Sequence, residues 1–291
     1  MGCASSDIRE NNSQEPNSVK RNLVITGANK GIGYATVERL VAENAQFDII
    51  ATSRNVELGE KAAREIRNKY PNFKNDLIYR QLDVDDEKSV NVFVDWVKNK
   101  YGKLDVLVNN AGVLYENPTV DQQIKTIKTN FFSVVTLTEK FLPLLTKDGK
   151  IVNVSSIVGS LSWQGPTLRK AIENERITEK QLFNIAHNII EETKDYPKEA
   201  LISDPSYPAS KALLNTYIRR FLVAKLKDNQ QCYSLHPGVV QTDMAAGLEG
   251  KIKLITPYEG ADTSVYLINL PFVKNSEFNG KFFDNRKVVV Y

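Results

Sequence analysis

Residues 22–33, NLVITGANKGIG, join a short apolar strand (22–26) to a turn that carries Gly27, Gly31 and Gly33. Glycine lets a backbone turn tightly and approach a pyrophosphate, and the N-terminus of a following helix favours such an anion. A plain strand-to-helix turn also uses glycine, so the triplet alone is weak evidence. Its place directly after the first strand favours a dinucleotide-binding turn.

Strand-like and helix-like segments alternate through the following sequence. Strands are predicted at 22–26, 47–53, 77–84, 104–110 and 149–156, and helices at 32–45, 56–69, around 90–97, at 121–146 and from 209 to 226. Such alternation predicts right-handed crossovers and a parallel sheet with helices on both faces. Ligands of these sheets bind at the carboxyl ends of the strands. We therefore expect a doubly wound α/β fold in one domain, residues 21–291.

The composition is that of an ordinary soluble globule, with 42% hydrophobic and 25% charged residues. A net charge of +3 is too small for a strong overall field towards nucleic acid or a membrane. The two cysteines lie far apart, which fits a reducing compartment, and with two histidines they provide too few clustered ligands for a metal site. Residues 1–19 are polar and no apolar run approaches a bilayer span, so we expect a cytoplasmic protein.

The end of the second predicted strand indicates which nicotinamide dinucleotide binds. An acidic residue there would bind the ribose 2′-hydroxyl of NAD, whereas an arginine accommodates the 2′-phosphate of NADP. The strand runs into Arg54, and Lys30 in the glycine turn adds a second cation, so NADP is favoured. Asp83, after the third strand, could accept a hydrogen bond from the adenine amino group or cap the helix that follows.

Two similar pentapeptides place a lysine four residues after a tyrosine: YPNFK (70–74) and YPASK (207–211). On a helix this spacing stacks both side chains on one face. Pro71 ends a helix and leaves Lys74 in a loop, whereas YPASK opens a helix. A free tyrosine, with a pKa near ~10, is a reluctant proton donor, and a neighbouring ammonium lowers that pKa. The second pentapeptide is therefore the candidate for acid–base chemistry.

Six segments together resemble one family. TGANKGIG, NNAG (109–112), KTNFF (128–132), NVSS (153–156), YPASK and HPGVVQTDM (236–244) occur in the order and spacing of the short-chain dehydrogenase/reductase family, over about residues 21–291. The resemblance implies a Rossmann-type sheet. It also implies reduction of ketones, aldehydes or quinones by NADPH.

The resemblance also implies roles for individual residues. Tyr207 would be the general acid, and Lys211 would tune it and hold the nicotinamide ribose. Ser156 would hydrogen-bond the substrate oxygen, and Asn130 would support a proton relay to Lys211, although a helix-interior polar residue satisfied by backbone is the alternative. The other coenzyme contacts would come from Gly27, Asn29, Lys30, Gly31, Ile32, Gly33, Arg54, Asp83, Val84, Asn110, Ala111, Gly112, Pro237, Gly238, Val240 and Thr242.

Ser156 and Tyr207 are 51 positions apart, much farther than in most members of the family. The extra sequence contains ITEKQLFNIAHNIIEE (177–192), with a capping box from Thr178 to Gln181 and a buried stripe predicted at Leu182, Ile185 and Ile189. We therefore expect an inserted, packed helix before Tyr207. This resembles the carbonyl reductase branch, whose insertion implies a monomer.

One position departs from that branch, where a tryptophan follows the Pro-Gly turn. Val239 stands here, so the pocket is expected to be wider or differently shaped, and substrate preference does not transfer. The substrate-lining candidates are Ser156, Ile157, Trp163, Val239 and Met244, with core packing as the alternative for Trp163.

The leader, residues 1–20, begins MGCASS and reads as a disordered segment. It fits an N-myristoylation pattern at Gly2, with Cys3 available for palmitoylation. Two acyl groups would tether the protein stably to a membrane surface, whereas an unmodified leader would not.

Two rival functions stay open at this point. One is oxidation by an NADP-dependent alcohol or hydroxysteroid dehydrogenase, which would use the same residues. The other is a non-catalytic nucleotide-sensing protein, which would be expected to lose Tyr207 or Lys211.

Overall fold

A sheet of eight strands runs through the chain in the order β3-β2-β1-β4-β5-β6-β7-β8. The computed structural model describes residues 21–194, 205–227, 229–248, 250, 253–271 and 277–290. The strands are β1 Asn22–Ile25, β2 Asp48–Ser53, β3 Leu77–Gln81, β4 Leu104–Asn109, β5 Leu145–Val154, β6 Gln231–His236, β7 Phe282–Asp284 and β8 Lys287–Val289. The neighbouring pairs from β3 through β7 are parallel, which confirms the predicted doubly wound α/β fold.

Helices cover both faces of this sheet. They are α1 Gly31–Ala42, α2 Val56–Lys69, α3 Glu87–Tyr101, α4 Val120–Ile127, α5 Val134–Phe141, α6 Pro166–Glu173, α7 Glu179–Lys194, α8 Ser206–Tyr217, α9 Val223–Lys225, α10 Pro257–Gly260 and α11 Asp262–Asn269. Side chains alternate across each strand, so Leu23 and Ile25 pack with α1 and α11 while Val24 packs on the opposite face with α3, α5 and α8.

The single helix predicted over 121–146 is wrong in its interior and at its end. Helix α4 gives way to a π-helical segment, Lys128–Ser133, before α5 begins. A short 3-10 turn with Pro143 near its start ends the helical path at Leu144, because proline lacks the N–H that a continuing helix needs. Strand β5 then starts at Leu145 and pairs with Leu104 across a bulge, four residues earlier than predicted.

The third and fifth strands also end earlier than predicted, at Gln81 and Val154 rather than 84 and 156. Beyond Val154 the chain leaves the sheet, because Ser156 is the N-cap residue of a 3-10 turn, Ile157–Gly159. The turn draws Ser156 out of the strand and towards the neighbouring helices.

Strand β8 is antiparallel to β7, so the sheet is not parallel throughout. Asn285 and Arg286 link the two strands with φ angles of 47° and 62°. Two consecutive positive φ values are typical of the type I′ hairpin turn, whose twist matches that of the strands. This closing hairpin places a short strand at the sheet edge.

The predicted inserted helix is present as α7, and a second helix, α6, precedes it. The capping box is confirmed: Thr178 N donates to Gln181 Oε1 at 2.8 Å and Gln181 N donates to Thr178 Oγ1 at 3.2 Å. The predicted stripe is partly wrong. Leu182 is buried as expected, but the other fully covered positions are Ala186, Ile190 and Thr193, one helical turn apart, while Ile185 and Ile189 are partly buried.

The leader, with Gly2 and Cys3, lies outside the described residues. Within the ranges given above, no helix is long and apolar enough to cross a bilayer.

Candidate active site

The glycine turn leads from β1 into the N-terminus of α1. A Cβ atom on Gly33 would stand 2.4 Å from Asn110 Nδ2 and 2.5 Å from Gly27 O, so only glycine fits there. Lys30 is the N-cap residue of α1, but its side chain makes no capping bond, and the first turn holds no acidic residue. The first amide groups of α1 can therefore serve an anion, as the sequence predicts.

The end of β4 is tied to this turn by side-chain bonds. Asn110 Nδ2 donates to Thr26 O at 2.7 Å, and the amides of Asn110 and Ala111 both donate to Thr26 Oγ1 at 2.9 Å. The NNAG turn therefore lies against the glycine turn, where the sequence predicts a coenzyme. At the end of the NNAG turn, Gly112 packs against Asn130, since a Cβ on Gly112 would lie 3.1 Å from Asn130 Oδ1.

The loop after β6 closes over the start of α1. Thr242 Cγ2 would lie 3.3 Å from a Cβ on Gly31, so Thr242 packs on the glycine turn. Next to it, Asp243 Oδ2 accepts from Lys30 Nζ at 2.5 Å. This ion pair lowers the pKa of Asp243, mainly through the hydrogen bond from Lys30. Lys30 thus has a carboxylate partner that sequence reasoning missed, and a phosphate at Lys30 would compete with it.

Arg54 follows β2 directly and is exposed, without a hydrogen bond or ion pair to any other described residue. Its guanidinium is therefore available to a phosphate at this corner. The capping alternative for Asp83 is wrong, because Asp86 caps α3 by accepting from Lys88 N at 2.9 Å. Asp83 instead lies half-buried with Val84 in the loop after β3, where its Oδ1 accepts from Asp85 N at 3.1 Å.

Tyr207 and Lys211 lie at the start of α8, which begins at Ser206, three residues before the predicted start at 209. Pro208 therefore occupies the first turn, where a missing N–H costs nothing. Lys211 Nζ lies 5.6 Å from the centroid of the Tyr207 ring. Only 5% of Lys211 is exposed, and its ammonium donates to Val154 O at 3.0 Å.

The Lys211 ammonium has no carboxylate partner within the described ranges, and burial lowers its pKa to about 8. It stays charged at neutral pH. A buried, uncompensated positive charge favours an anion beside it. The phenol ring of Tyr207 is its neighbour on α8, as the sequence predicts.

Asn130 sits inside the π-helical segment and is fully buried. Its side chain bonds the backbone of Val113 in both directions, accepting from N and donating to O at 2.8 Å each. Asn130 Nδ2 also lies 3.2 Å from Ser210 Oγ, which donates to Tyr207 O at 2.7 Å. Thus Asn130 is satisfied largely by backbone, as the alternative interpretation states, and it also links the NNAG loop to the first turn of α8. Single-turn π bulges occur often at functional sites.

Ser156 comes to α8 on its 3-10 turn. A Cβ on Gly159 would stand 2.8 Å from Lys211 C and 2.9 Å from Lys211 Cβ, so the turn and α8 are in direct backbone contact. Ser156 is 8% exposed, and its Oγ accepts from Val158 N only at the long distance of 3.4 Å. Ser155 is more deeply buried, and its Oγ has no partner in the described part of the chain. The Ser156 turn lies against α8, and the choice of Ser156 over Ser155 stays a prediction.

The remaining candidates differ in how far they are buried. Ile157, Pro237, Gly238 and Val239 are half-buried, whereas Val240 is buried and bridges to Ile255. The core alternative for Trp163 is wrong, because its side chain is 61% exposed on the next 3-10 turn, Leu161–Trp163. Met244 is 38% exposed in the loop after β6. Asn29 and Ile32 are half-buried within the glycine turn.

The other pentapeptide lies elsewhere. Tyr70 is the C-cap residue of α2, as the proline predicts, and its hydroxyl lies 3.5 Å from Glu38 Oε1 on α1. Lys74 is exposed, and its backbone N donates to Asn44 Oδ1 at 3.3 Å. Tyr70 and Lys74 thus form no acid–base pair.

Sequence reasoning missed the residues that hold the site together. They are Thr26, Val113, Gly159, Ser210 and Asp243. Ser210 could have been noticed inside YPASK, and Asp243 inside HPGVVQTDM. Thr26 could likewise have been noticed inside TGANKGIG. Val113 and Gly159 give no local signal, since their contacts connect distant parts of the chain.

Comparisons with known proteins agree with this geometry. Residues 21–168 match the short chain dehydrogenase family. Carbonyl reductase [NADPH] 1 of Sus scrofa is 35% identical, over 92% of this chain and 93% of that protein.

Among solved structures, salutaridine reductase from Papaver somniferum is 29% identical with a TM-score of 0.78, over 91% of this chain and 99% of that chain. An NADPH-bound carbonyl reductase from chicken fatty liver is 25% identical with a TM-score of 0.67, over 93% and 99%. This chain belongs to the short-chain dehydrogenase/reductase family and is similar to its carbonyl reductases.

Proposed function

We propose that this protein reduces carbonyl compounds (ketones, aldehydes or quinones) to alcohols with NADPH. One observation carries the proposal: the buried Lys211 ammonium lies beside the Tyr207 ring, on a helix turn that also contacts the Ser156 turn. The proposal brings a proton donor, its tuning cation and a hydroxyl for the substrate oxygen together at the carboxyl ends of the strands. That is the set of groups that carbonyl reduction requires.

Each residue has a separate task in this proposal. Ser156 Oγ donates a hydrogen bond to the carbonyl oxygen and fixes its position. Tyr207 transfers its phenolic proton to that oxygen as negative charge develops there, and the Lys211 ammonium stabilises the phenolate that is left. Asn130 holds the NNAG loop against α8 and supports the return of a proton from solvent through Lys211.

The residues present fit NADPH. The Gly33 position leaves no room for a side chain, and the first amides of α1 have no side-chain cap. Arg54 and Lys30 would hold the 2′-phosphate, and Lys211 would hold the nicotinamide ribose. The contacts proposed for the rest of the coenzyme are Gly27, Asn29, Gly31, Ile32, Asp83, Val84, Asn110, Ala111, Gly112, Pro237, Gly238, Val240 and Thr242. When bound, NADPH supplies the hydride that the carbonyl carbon receives.

Consumption of NADPH and of NADH over a panel of quinones, aldehydes and ketones, with identification of the alcohol, tests the proposal. We expect turnover with NADPH to exceed that with NADH. If NADPH binds and no carbonyl is reduced, the reductase proposal fails. Alcohol oxidation with NADP would then identify a dehydrogenase, and its absence would favour a sensing protein.

Ser156, Ile157, Trp163, Val239 and Met244 are proposed to line the substrate site. Val239 is a small, half-buried residue directly after the Pro-Gly turn, and the exposed Trp163 ring is available to an aromatic substrate. Exchanging Val239 for tryptophan should change KM values across the panel more than coenzyme KM. If the KM of the variant for each carbonyl equals that of the unaltered protein, Val239 does not line the substrate site.

We propose that the protein is a monomer. Helix α7 packs against α4 and α8. Its Phe183 ring lies 5.4 Å from Phe131 and 5.7 Å from Phe132 by centroids, so the helix covers the outer face of the π-helical segment. This face is the one that the family resemblance assigns to dimers. Light scattering after size exclusion should give a mass near 32.8 kDa, and twice that mass would refute the proposal.

We also propose that the protein is cytoplasmic and tethered to the cytosolic face of a membrane through acyl groups on Gly2 and Cys3. The support is the MGCASS pattern alone. The Gly2→Ala protein should lose membrane partitioning in a cell fractionation. If the Gly2→Ala protein partitions with membranes as the unaltered protein does, the acylation proposal is refuted.

A further inference from the structure

The amino ends of the strands lie at the end of the sheet opposite the candidate active site, and we call that end of the sheet an edge here. Arg21 directly precedes β1, Lys103 precedes β4, Lys147 lies at the start of β5, and Lys227 shortly precedes β6. All four line one open groove of about 1130 Å³ at this edge. We call these four residues the basic edge.

The acidic side chains of the groove are already engaged. Asp105 Oδ1 lies 3.8 Å from Arg21 Nε, and its Oδ2 accepts from Asn22 N at 2.9 Å. Asp148 Oδ1 accepts from Asn229 Nδ2 at 2.8 Å. Glu43 Oε1 lies 3.3 Å from Arg39 NH2.

The three lysines of the basic edge are exposed, and within the described ranges none of their ammonium groups has an ion-pair partner. Lys150 in the same groove is different. It is buried and donates to Ile268 O at 3.0 Å and to Leu270 O, so it serves the C-terminus of α11. The exposed lysines leave an excess of positive charge around the mouth of the groove. No ion pair within the described residues accounts for this charge.

The leader joins the domain at this same edge. Arg21, the first described residue, anchors the junction, with its guanidinium 4.5 Å from the centroid of the Phe47 ring. From there the chain back to Gly2 can reach about 65 Å at most. An acyl group on Gly2 would therefore keep the domain within reach of the membrane, and its point of attachment lies beside the basic edge.

We infer that the basic edge binds the headgroups of anionic phospholipids when the leader is acylated. A single myristoyl chain binds a membrane only marginally, whereas a chain with a basic patch anchors stably. In this orientation the carboxyl edge of the sheet, with Tyr207, faces away from the bilayer and stays open to soluble substrate. The inference rests on the acylation proposed above and is independent of the reductase activity.

The test measures sedimentation of the myristoylated full chain with two kinds of vesicle. One is phosphatidylcholine alone, and the other is phosphatidylcholine mixed with phosphatidylserine. The variant carries Lys103→Glu, Lys147→Glu and Lys227→Glu. The matched control carries Lys88→Glu, Lys170→Glu and Lys180→Glu, the same charge change on exposed lysines of α3, α6 and α7. NADPH consumption by each preparation reports folding and activity separately.

We expect the unaltered protein to prefer the phosphatidylserine vesicles. The basic-edge variant should lose that preference by at least tenfold, since each lysine near an anionic surface is worth about fivefold. The control should keep most of it. Equal loss in both variants would attribute binding to net charge and overturn the inference, as would an unchanged basic-edge variant. A Gly2 that a co-expressed myristoyltransferase leaves unmodified would also overturn it, because three lysines without a chain are too few for stable binding.

Discussion

Gly159 sets the distance between the Ser156 turn and α8, so replacing it by alanine tests how the site is positioned. The new Cβ would meet Asn215 Nδ2 and Lys211 C at 2.8 Å, and Lys211 Cβ at 2.9 Å. Two of these three atoms belong to Lys211 itself, and one is backbone. Rotation of the Lys211 side chain cannot relieve the clash, because it moves neither the backbone C nor the Cβ. The turn or the helix must therefore move.

The size of the movement follows from these contacts. Relief from 2.8 Å to an ordinary contact of about 3.4 Å requires a displacement of about 0.6 Å. Misplacing a reacting group by about 1 Å can cost about 100-fold in rate, so we expect kcat to fall by about tenfold. Overpacking of this kind also destabilises the fold by about 1–3 kcal/mol.

Steady-state reduction of one carbonyl with NADPH, at a temperature where the variant is folded, measures the effect. We expect the fall in kcat to exceed the rise in the KM for NADPH, because α8 contributes one proposed coenzyme contact, Lys211, while the proposed phosphate contacts lie on other segments. Gly165→Ala is the control. Its Cβ would meet no atom within 4 Å in the described part of the chain, so kcat should stay at the original value. Loss of the N-cap glycine of α6 would cost stability of up to about 1 kcal/mol.

A Gly159→Ala protein with the original kcat, folded and saturated with coenzyme, would refute the reasoning. It would mean that the spacing between Ser156 and α8 does not govern the reaction. A tenfold rise in the KM for NADPH with unchanged kcat would equally contradict it, because the turn would then serve the coenzyme.

Three further predictions concern single groups of the site. Burial lowers the pKa of Lys211 to about 8. The kcat/KM for reduction, which reports the free enzyme, should therefore fall as the pH rises above about 8, because the ammonium is lost. A flat profile through that range would contradict the role of Lys211. Ser156→Ala should lower kcat by about 100-fold or more, whereas Ser155→Ala should retain turnover, and the reverse order would reassign the serine. Arg54→Ala should raise the KM for NADPH by about tenfold and leave that for NADH unchanged, because the lost contact is to the 2′-phosphate; equal shifts for both would exclude this role.

The strand and helix order was predictable because hydrophobic patterning and glycine position are local signals. The helix Val56–Lys69, for example, ends just before Tyr70 and Pro71, as the proline predicts. The segment 121–146 was not predictable in detail, because its apolar stripe reads the same for a continuous helix as for two helices around a π-helical segment. Strand β5 starts early because Leu145 pairs with Leu104, a contact between distant residues that no local pattern carries.

In the candidate site, too, some residues have a local sequence signal and others depend on contacts between distant segments. Tyr207 and Lys211 are four residues apart on one helix, and the position of YPASK at a helix start distinguishes them in the sequence from the equally spaced Tyr70 and Lys74. The structure adds Gly159, Ser210 and Val113, which bring three separate segments within bonding distance. These are chemically ordinary residues, and what they do depends on the assembled fold.

The most direct test of the central claim compares turnover of Tyr207→Phe and Tyr70→Phe with that of the unaltered protein. Both variants remove one hydroxyl from a half-buried tyrosine that precedes a lysine by four positions. The account predicts that Tyr207→Phe binds NADPH but loses at least about 100-fold in kcat, whereas Tyr70→Phe keeps the original rate. Turnover that survives in the folded Tyr207→Phe protein would contradict the assignment of Tyr207 as the proton donor.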